Sequence, residues 1–166
     1  MKKKSSLRFL GVLSGLSVLP IPKGNIFPFP SEGELNEQAQ KYEDLIRNKV
    51  QGASFDLMML GMGEDGHTAS LFPYTHGLHC NDQLAITNFV PQIDAWRMTL
   101  TFLCINSSQH IRIYIMGKSK QETVSKVLHD PYDPDRFPIQ AVGTPTHKAL
   151  WIIEGKNEKD EGIEKG

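Results

Sequence analysis

Residues 55–73 join a short apolar run to a glycine-rich turn that ends in a histidine. The apolar run at 55–60 is typical of a buried strand, and the glycines at 61, 63 and 66 allow a sharp turn that a ligand can approach closely. His67 follows at once, and residues 68–71 are predicted to open a helix. Open α/β sheets bind their ligands at the carboxyl ends of the strands. The segment therefore predicts an open α/β sheet with a ligand site at the carboxyl end of the strand at 55–60.

Three interpretations fit this glycine pattern. The first is a tight turn with a hydrogen-bonded histidine, because a short glycine motif is weak evidence on its own. The second is a dinucleotide-binding loop, but Glu64 and Asp65 would repel the phosphates that such a loop binds. It also lacks a second strand ending in an acid about 20 residues further on. The third is a catalytic loop in which Asp65 acts on the imidazole of His67, a group that exchanges protons near neutral pH.

The segment resembles the signature of the 6-phosphogluconolactonases, enzymes of the pentose phosphate pathway. Its Gly-x-Gly-x-Asp-Gly-His core at 61–67 also resembles the glucosamine-6-phosphate deaminases, whereas Thr-Ala-Ser-Leu-Phe-Pro at 68–73 matches the lactonase version. The resemblance extends from about residue 18 to residue 154. It includes an Arg-x-Thr-Leu-Thr strand at 97–101, a Gly-x-x-Lys turn at 117–120 and a closing strand at 149–151.

The resemblance implies a hydrolase that opens a small sugar phosphate lactone without a metal or cofactor. Water must lose a proton as it attacks the carbonyl carbon, and His67 is the expected general base. Asp65 is expected to orient the imidazole, although a turn-forming aspartate bonded to the loop backbone fits these residues nearly as well. Backbone N–H groups of the glycine turn are candidate donors to the oxyanion.

The residues expected to bind the substrate are Gly63, Gly66, Arg97 and Lys120. Lys120 follows a strand-terminal glycine near a helix start, where an ammonium and the helix dipole favour a phosphate. The alternative is a solvated lysine. Arg97 opens the strand that resembles the family's, and its alternative is an ion pair at a sheet edge.

The sequence leaves two alternatives to an active lactonase. The chain is either an active lactonase or an inactive, regulatory homologue that binds a sugar phosphate weakly. An amino-sugar phosphate isomerase or deaminase is a further alternative, which the sequence at 68–73 disfavours. A metal site at His76, His79 and Cys80 is not expected, because no fourth ligand lies at a standard spacing.

The family normally has an earlier Ser/Gly-rich sugar-phosphate loop and an Asp-Glu-Arg strand, and neither occurs here. The resemblance therefore predicts an N-terminally truncated, Rossmann-like α/β domain at 1–154, with a disordered tail at 155–166. A homodimer or a complementing chain is the partner expected to fill the gap. The first residues imitate a signal peptide, but Arg8 interrupts the apolar stretch, so an amphipathic helix over 7–19 is preferred.

Composition and net charge argue against two classes of partner, nucleic acids and anionic membranes. A net charge of −1 gives no electrostatic case for nucleic acid or an anionic membrane, and the apolar stretch near the N-terminus is too short to span a bilayer. Cys80 and Cys104 are the two cysteines. They fit a reducing compartment better than a disulfide framework, which predicts a cytoplasmic protein.

Predicted strands that alternate with predicted helices favour a mostly parallel sheet, and the resemblance implies that this sheet is open with helices on both faces. A first helix is expected from a capping box with Ser31 as N-cap and Glu34 three residues later. A second is expected from Ser119 to just before Pro131. The predicted strands are 55–60, 84–89, 98–103, 111–116 and 149–153.

Overall fold

The computed structural model describes residues 22–30 and 33–155. The predictions for the helix at 7–19 and for the tail after Gly155 lie outside the described residues. None of the helices within these two ranges combines the length and apolar character needed to cross a bilayer.

The described residues form five strands and three α-helices. The strands are β1 (Met58–Gly61), β2 (Ala85–Val90), β3 (Ala95–Leu100), β4 (Ile111–Ile115) and β5 (Leu150–Ile153). The α-helices are α1 (Leu35–Lys49), α2 (Phe102–Asn106) and α3 (Gln121–His129). Strands β1, β4 and β5 form a parallel sheet in the order β1-β4-β5, which confirms the predicted α/β class with a parallel sheet. Strands β2 and β3 form a separate antiparallel hairpin.

One face of the parallel sheet carries the main core. The alternate side chains of β4, Ile111, Ile113 and Ile115, are buried there, as the period of two in a strand requires. They join buried apolar side chains of β1, α2 and α3 in one cluster. Burial of this kind stabilises a fold by about 25 cal/mol per Å² of apolar surface removed from water.

The opposite face of the sheet is open within the described residues. Met59, Leu150 and Ile152 are 61%, 51% and 38% exposed, and the strand register places them on the same side as Tyr114 of β4. Parallel sheets are normally covered on both faces. The predicted second layer of helices is therefore not found in the part of the chain that the structure describes.

Helix α1 begins three residues later than the capping box predicts. Its N-cap is Glu34, whose carboxylate accepts the N–H of Glu37 at 2.7 Å. Gly33 has a φ of +105°, a value outside the helical region, so the helix starts after it. The prediction of Ser31 as N-cap is wrong. The apolar spacing is confirmed, because Ala39 and Ile46 are buried.

The predicted strand at 98–103 ends early. Strand β3 stops at Leu100, and Thr101 caps α2 by accepting the N–H of Cys104 on its hydroxyl oxygen at 3.3 Å. The prediction is therefore wrong for 101–103. An alternation of apolar and polar residues carries no signal for the point at which a threonine caps a helix.

Candidate active site

The glycine-histidine loop and the Gly-x-x-Lys turn leave the sheet at the same edge. Strands β1 and β4 are parallel neighbours, so the segments that follow their carboxyl ends lie side by side. The first turn of α3 also contacts the histidine loop, since the hydroxyl of Thr123 donates to the carbonyl oxygen of Glu64. The structure thus joins the histidine loop to the helix after the Gly-x-x-Lys turn, through two residues that lie 59 positions apart in the sequence.

Residues 68–71 form a tight turn in place of the predicted helix. The N–H of Leu71 donates to the carbonyl oxygen of Thr68 at 2.9 Å, and Ala69 has a left-handed φ of 51°. The Thr68 hydroxyl is buried and donates to the carbonyl oxygen of Gly61 at 2.8 Å, which ties the turn back to the end of β1. A side chain bonded in this way competes with helix formation.

His67 and Asp65 form the central pair of the loop. One carboxylate oxygen of Asp65 lies 2.6 Å from Nδ1 of His67 and accepts the backbone N–H of His67 at 3.1 Å. Burial, the largest single influence, opposes ionisation of Asp65. The hydrogen bonds from the His67 side chain and N–H together outweigh it, so the pKa of the Asp65 carboxyl lies below its usual value. The ionised carboxylate can only accept, so Nδ1 carries the proton and the lone pair of the neutral ring is on Nε2.

The imidazole is held in place while its reactive side stays accessible. The His67 ring stacks on Phe72, with centroids 3.9 Å apart and an interplanar angle of 19°. Its side chain is 28% exposed, and Nε2 has no hydrogen-bond partner among the described residues. Phe72 belongs to the motif on which the resemblance rests, but nothing in the local sequence indicates that its ring packs on the histidine.

Gly63 and Gly66 shape this loop. A Cβ added at Gly63 would lie 2.2 Å from Nδ1 of His67, and Gly66 has a φ of +81° with Phe137 packed 2.9 Å from the place of its missing Cβ. The N–H of Gly63 donates to the carbonyl oxygen of His67, and that of Gly66 to the carbonyl oxygen of Gly63. These two N–H groups are engaged within the loop, and an oxyanion donor among the other N–H groups of the turn stays a prediction. Contact of either glycine with a substrate stays a prediction.

Arg97 and Lys120 are basic residues on segments that adjoin the loop. Arg97 lies in β3 directly opposite Asn88 of β2, and Asn88 bonds to the segment after His67. Lys120 ends the short 3₁₀ turn that precedes α3. Among the described residues, neither side chain makes an ion pair or a hydrogen bond. Both are therefore available to an anionic ligand.

The loop residues considered as metal ligands have other contacts. Nε2 of His79 lies 3.4 Å from a carboxylate oxygen of Asp135, and Cys80 contacts Asp82 at 3.5 Å. Within 22–30 and 33–155, no group of three or more His, Cys, Asp or Glu side chains is arranged to hold a metal ion.

Comparison with known proteins points to one family. The sequence profile described as glucosamine-6-phosphate isomerases/6-phosphogluconolactonase matches residues 12–151. The chain is 41% identical over 147 residues to a protein of Chlamydia trachomatis named 6-phosphogluconolactonase, which covers 89% of this chain and 55% of that protein. It is 34% identical over 149 residues to a Synechocystis protein of the same name, covering 86% and 60%.

A solved structure agrees with the sequence comparison. The 6-phosphogluconolactonase of Thermotoga maritima superposes with a TM-score of 0.70 at 31% identity, over 83% of this chain and 60% of that one. The chain spans a little over half the length of the curated relatives that it matches.

Proposed function

This chain belongs to the glucosamine-6-phosphate isomerase/6-phosphogluconolactonase family, and on that premise we propose that it hydrolyses 6-phospho-D-glucono-1,5-lactone to 6-phospho-D-gluconate. This is the lactone-opening step of the pentose phosphate pathway. The observation that carries the proposal is the His67 imidazole, bonded to Asp65 through Nδ1 and accessible at Nε2. The lactonase-type sequence at 68–73 favours this reaction over an amino-sugar isomerisation or deamination.

In the proposed reaction water attacks the lactone, and His67 carries one proton from the water to the leaving ring oxygen. Nε2 of His67 accepts a proton from water as the water oxygen attacks the lactone carbonyl carbon. Asp65 stabilises the imidazolium that forms, through the hydrogen bond at Nδ1. When the oxyanion collapses, the bond between the carbonyl carbon and the ring oxygen breaks. The imidazolium then returns its proton to that ring oxygen, which leaves a hydroxyl and a carboxylic acid that ionises.

Lys120 and Arg97 are the proposed substrate-binding side chains. Lys120 immediately precedes α3, so its ammonium and the N-terminal end of the helix dipole both favour a phosphate at that place. Arg97 presents a planar guanidinium on the hairpin face that bonds to the His67 segment, and it is suited to an oxyanion. The contact of Thr123 with Glu64 supports one continuous site, because it ties α3 to the histidine loop.

We expect the purified chain to hydrolyse 6-phosphogluconolactone above the spontaneous rate, and Lys120→Ala to raise KM. A charge-assisted hydrogen bond contributes about 1.5–3 kcal/mol, so the expected rise in KM is about 10- to 150-fold. Steady-state kinetics with the spontaneous rate subtracted measures both quantities.

Lys118→Ala is the matched control for this test, because Lys118 lies two residues away and its side chain is exposed. Its KM should equal that of the parent. A KM that rises equally in both variants would remove Lys120 from the phosphate site. Binding of 6-phosphogluconate without any turnover would contradict the proposed reaction and support an inactive, regulatory homologue.

We further propose that two copies of the chain associate through the open face of the parallel sheet. The exposed side chains of Met59, Leu150 and Ile152 form part of one apolar face, and large exposed apolar surfaces favour association. Analytical sedimentation should show a dimer at micromolar concentration, with Ile152→Lys shifting it to monomer. A parent that sediments as a monomer would contradict this proposal.

The proposed compartment is the cytoplasm. Both cysteines are free in the structure, as a reducing compartment permits. Burial, followed by the nearby charge of Glu43, raises the pKa of the Cys104 thiol to about 11. That thiol is therefore protonated at neutral pH and is no competitor to His67 as a reactive group.

A further inference from the structure

We propose that Asn88 is a positioning residue that holds the ring of Phe72 against the imidazole of His67. Asn88 lies in β2 and is fully buried. A buried amide is costly unless its N–H and C=O groups have partners, and here all the partners lie in the segment that follows His67. The expected effect of Asn88 on kcat rests on the proposed lactone hydrolysis. Its expected effect on the position of the His67 ring is independent of that reaction.

The Asn88 amide makes three hydrogen bonds. Its Nδ2 donates to the carbonyl oxygen of Ser70 at 2.9 Å and to the hydroxyl oxygen of Thr75 at 3.0 Å. Its Oδ1 accepts the N–H of Gly77 at 3.1 Å. The amide therefore uses both of its N–H groups and its carbonyl oxygen, and it joins three points of one loop to the β2-β3 hairpin.

Thr75 passes this restraint on to the ring beside the histidine. Its buried hydroxyl accepts from Asn88 and donates to the carbonyl oxygen of Phe72 at 2.7 Å. The Phe72 ring in turn stacks on His67 at 3.9 Å. Asn88 acts on the imidazole through these two residues. It fixes the position of the general base and is not itself a group that reacts.

The next residue of the strand provides a matched control. Thr87 points to the opposite face of β2, where its hydroxyl donates to the side-chain oxygen of Asn36 in α1 at 2.6 Å. It is also buried, at 7% exposure. Thr87→Val removes a buried hydrogen bond from the same strand but leaves the segment after His67 untouched. Any change in kcat or in the His67 signal of Thr87→Val therefore measures the effect of lost stability alone.

The test compares Asn88→Asp with Thr87→Val. Aspartate has nearly the same shape, but its carboxylate cannot donate to Ser70 or Thr75. We expect Asn88→Asp to lower kcat by about 10- to 100-fold, since small displacements of a catalytic group are costly. The proton NMR signal of the His67 Cε1–H should also move downfield, because it loses the shielding of the stacked Phe72 ring. Thr87→Val should change neither kcat nor this signal.

A milder variant keeps the proposal testable if Asn88→Asp fails to fold. Thr75→Val removes the two hydrogen bonds of the Thr75 hydroxyl, to Phe72 and from Asn88, while the backbone N–H of Thr75 still donates to the carbonyl oxygen of Phe72 and the bonds from Asn88 to Ser70 and Gly77 stay in place. It should shift the His67 signal in the same direction by a smaller amount. The proposal is overturned if a folded Asn88→Asp, or Thr75→Val in its place, gives the same His67 signal as Thr87→Val. If the parent has no lactonase activity, the proposed reaction fails, and the NMR comparison still decides the role of Asn88.

Discussion

Replacing His67 with alanine is expected to lower kcat for lactone hydrolysis by about 10²- to 10⁴-fold, the usual contribution of a positioned general base. The variant loses the Nε2 lone pair that would take the proton from water. It should stay folded, because the side chain is partly exposed and its hydrogen bond ends at a carboxylate that is more exposed still. The measurement is kcat with the spontaneous rate subtracted, together with a thermal melt of both proteins.

His129→Ala is the control for loss of a histidine as such. His129 ends α3, at the end of the helix opposite the Thr123 contact with the loop, and its ring bonds to the carbonyl oxygen of Ser125. It should keep the activity of the parent. If His67→Ala retains activity close to that of the parent, another group removes the proton and the proposed mechanism is wrong.

The position of the candidate site at a strand end follows from residues that are close together in the sequence. An apolar run, three glycines and a histidine lie within 55–67, and a strand end followed by a turn places a side chain at the carboxyl edge of a sheet. The contact between Asp65 and His67 spans only two residues. The structure places the two side chains together as the sequence predicted, whereas their catalytic roles stay predictions until they are measured.

The supports of the site were not predictable in the same way. Asn88 reads as one residue of an ordinary strand, and its bonds to Ser70 and Thr75 depend on the hairpin folding back onto the loop. Thr68 shows the same limit within a single turn. It was expected to open a helix, but its hydroxyl bonds to the carbonyl oxygen of Gly61 and closes a tight turn instead. Contacts between separate segments determine the hydrogen bonds of Asn88 and the turn at Thr68.

The sheet itself was predicted better than the boundaries of its strands. Strands β1, β4 and β5 follow from apolar runs that a parallel sheet requires, and their pairing is parallel, as expected. The separation of β2 and β3 into their own hairpin was not predicted. Their sequences indicate strands, and a strand pattern does not show which strand becomes the neighbour.

Gly63→Ala is expected to abolish activity nearly as completely as removal of the histidine. The added methyl would lie 2.2 Å from Nδ1 and 2.3 Å from Cε1 of His67, and 2.8 Å from a carboxylate oxygen of Asp65. Atoms cannot approach so closely, so the imidazole must leave its position, and its stacking on Phe72 and its bond to Asp65 go with it. Overpacking of this kind costs about 1–3 kcal/mol of stability, which most folds survive. Activity and a thermal melt therefore separate loss of the site from loss of the fold.

Gly61→Ala shows whether the effect comes from the methyl group's contact with His67. Gly61 is the last residue of β1, and a Cβ there would lie 3.8 Å from the carbonyl oxygen of Tyr114, an ordinary contact. Neither Gly61 nor Gly63 has a left-handed φ, so alanine strains the backbone at neither position. The two variants thus add the same atom to the same short segment and differ in what that atom meets. Gly61→Ala should retain activity. Equal losses in both variants would show that the segment tolerates no added methyl at all, and the close approach of Gly63 to His67 would not explain the result.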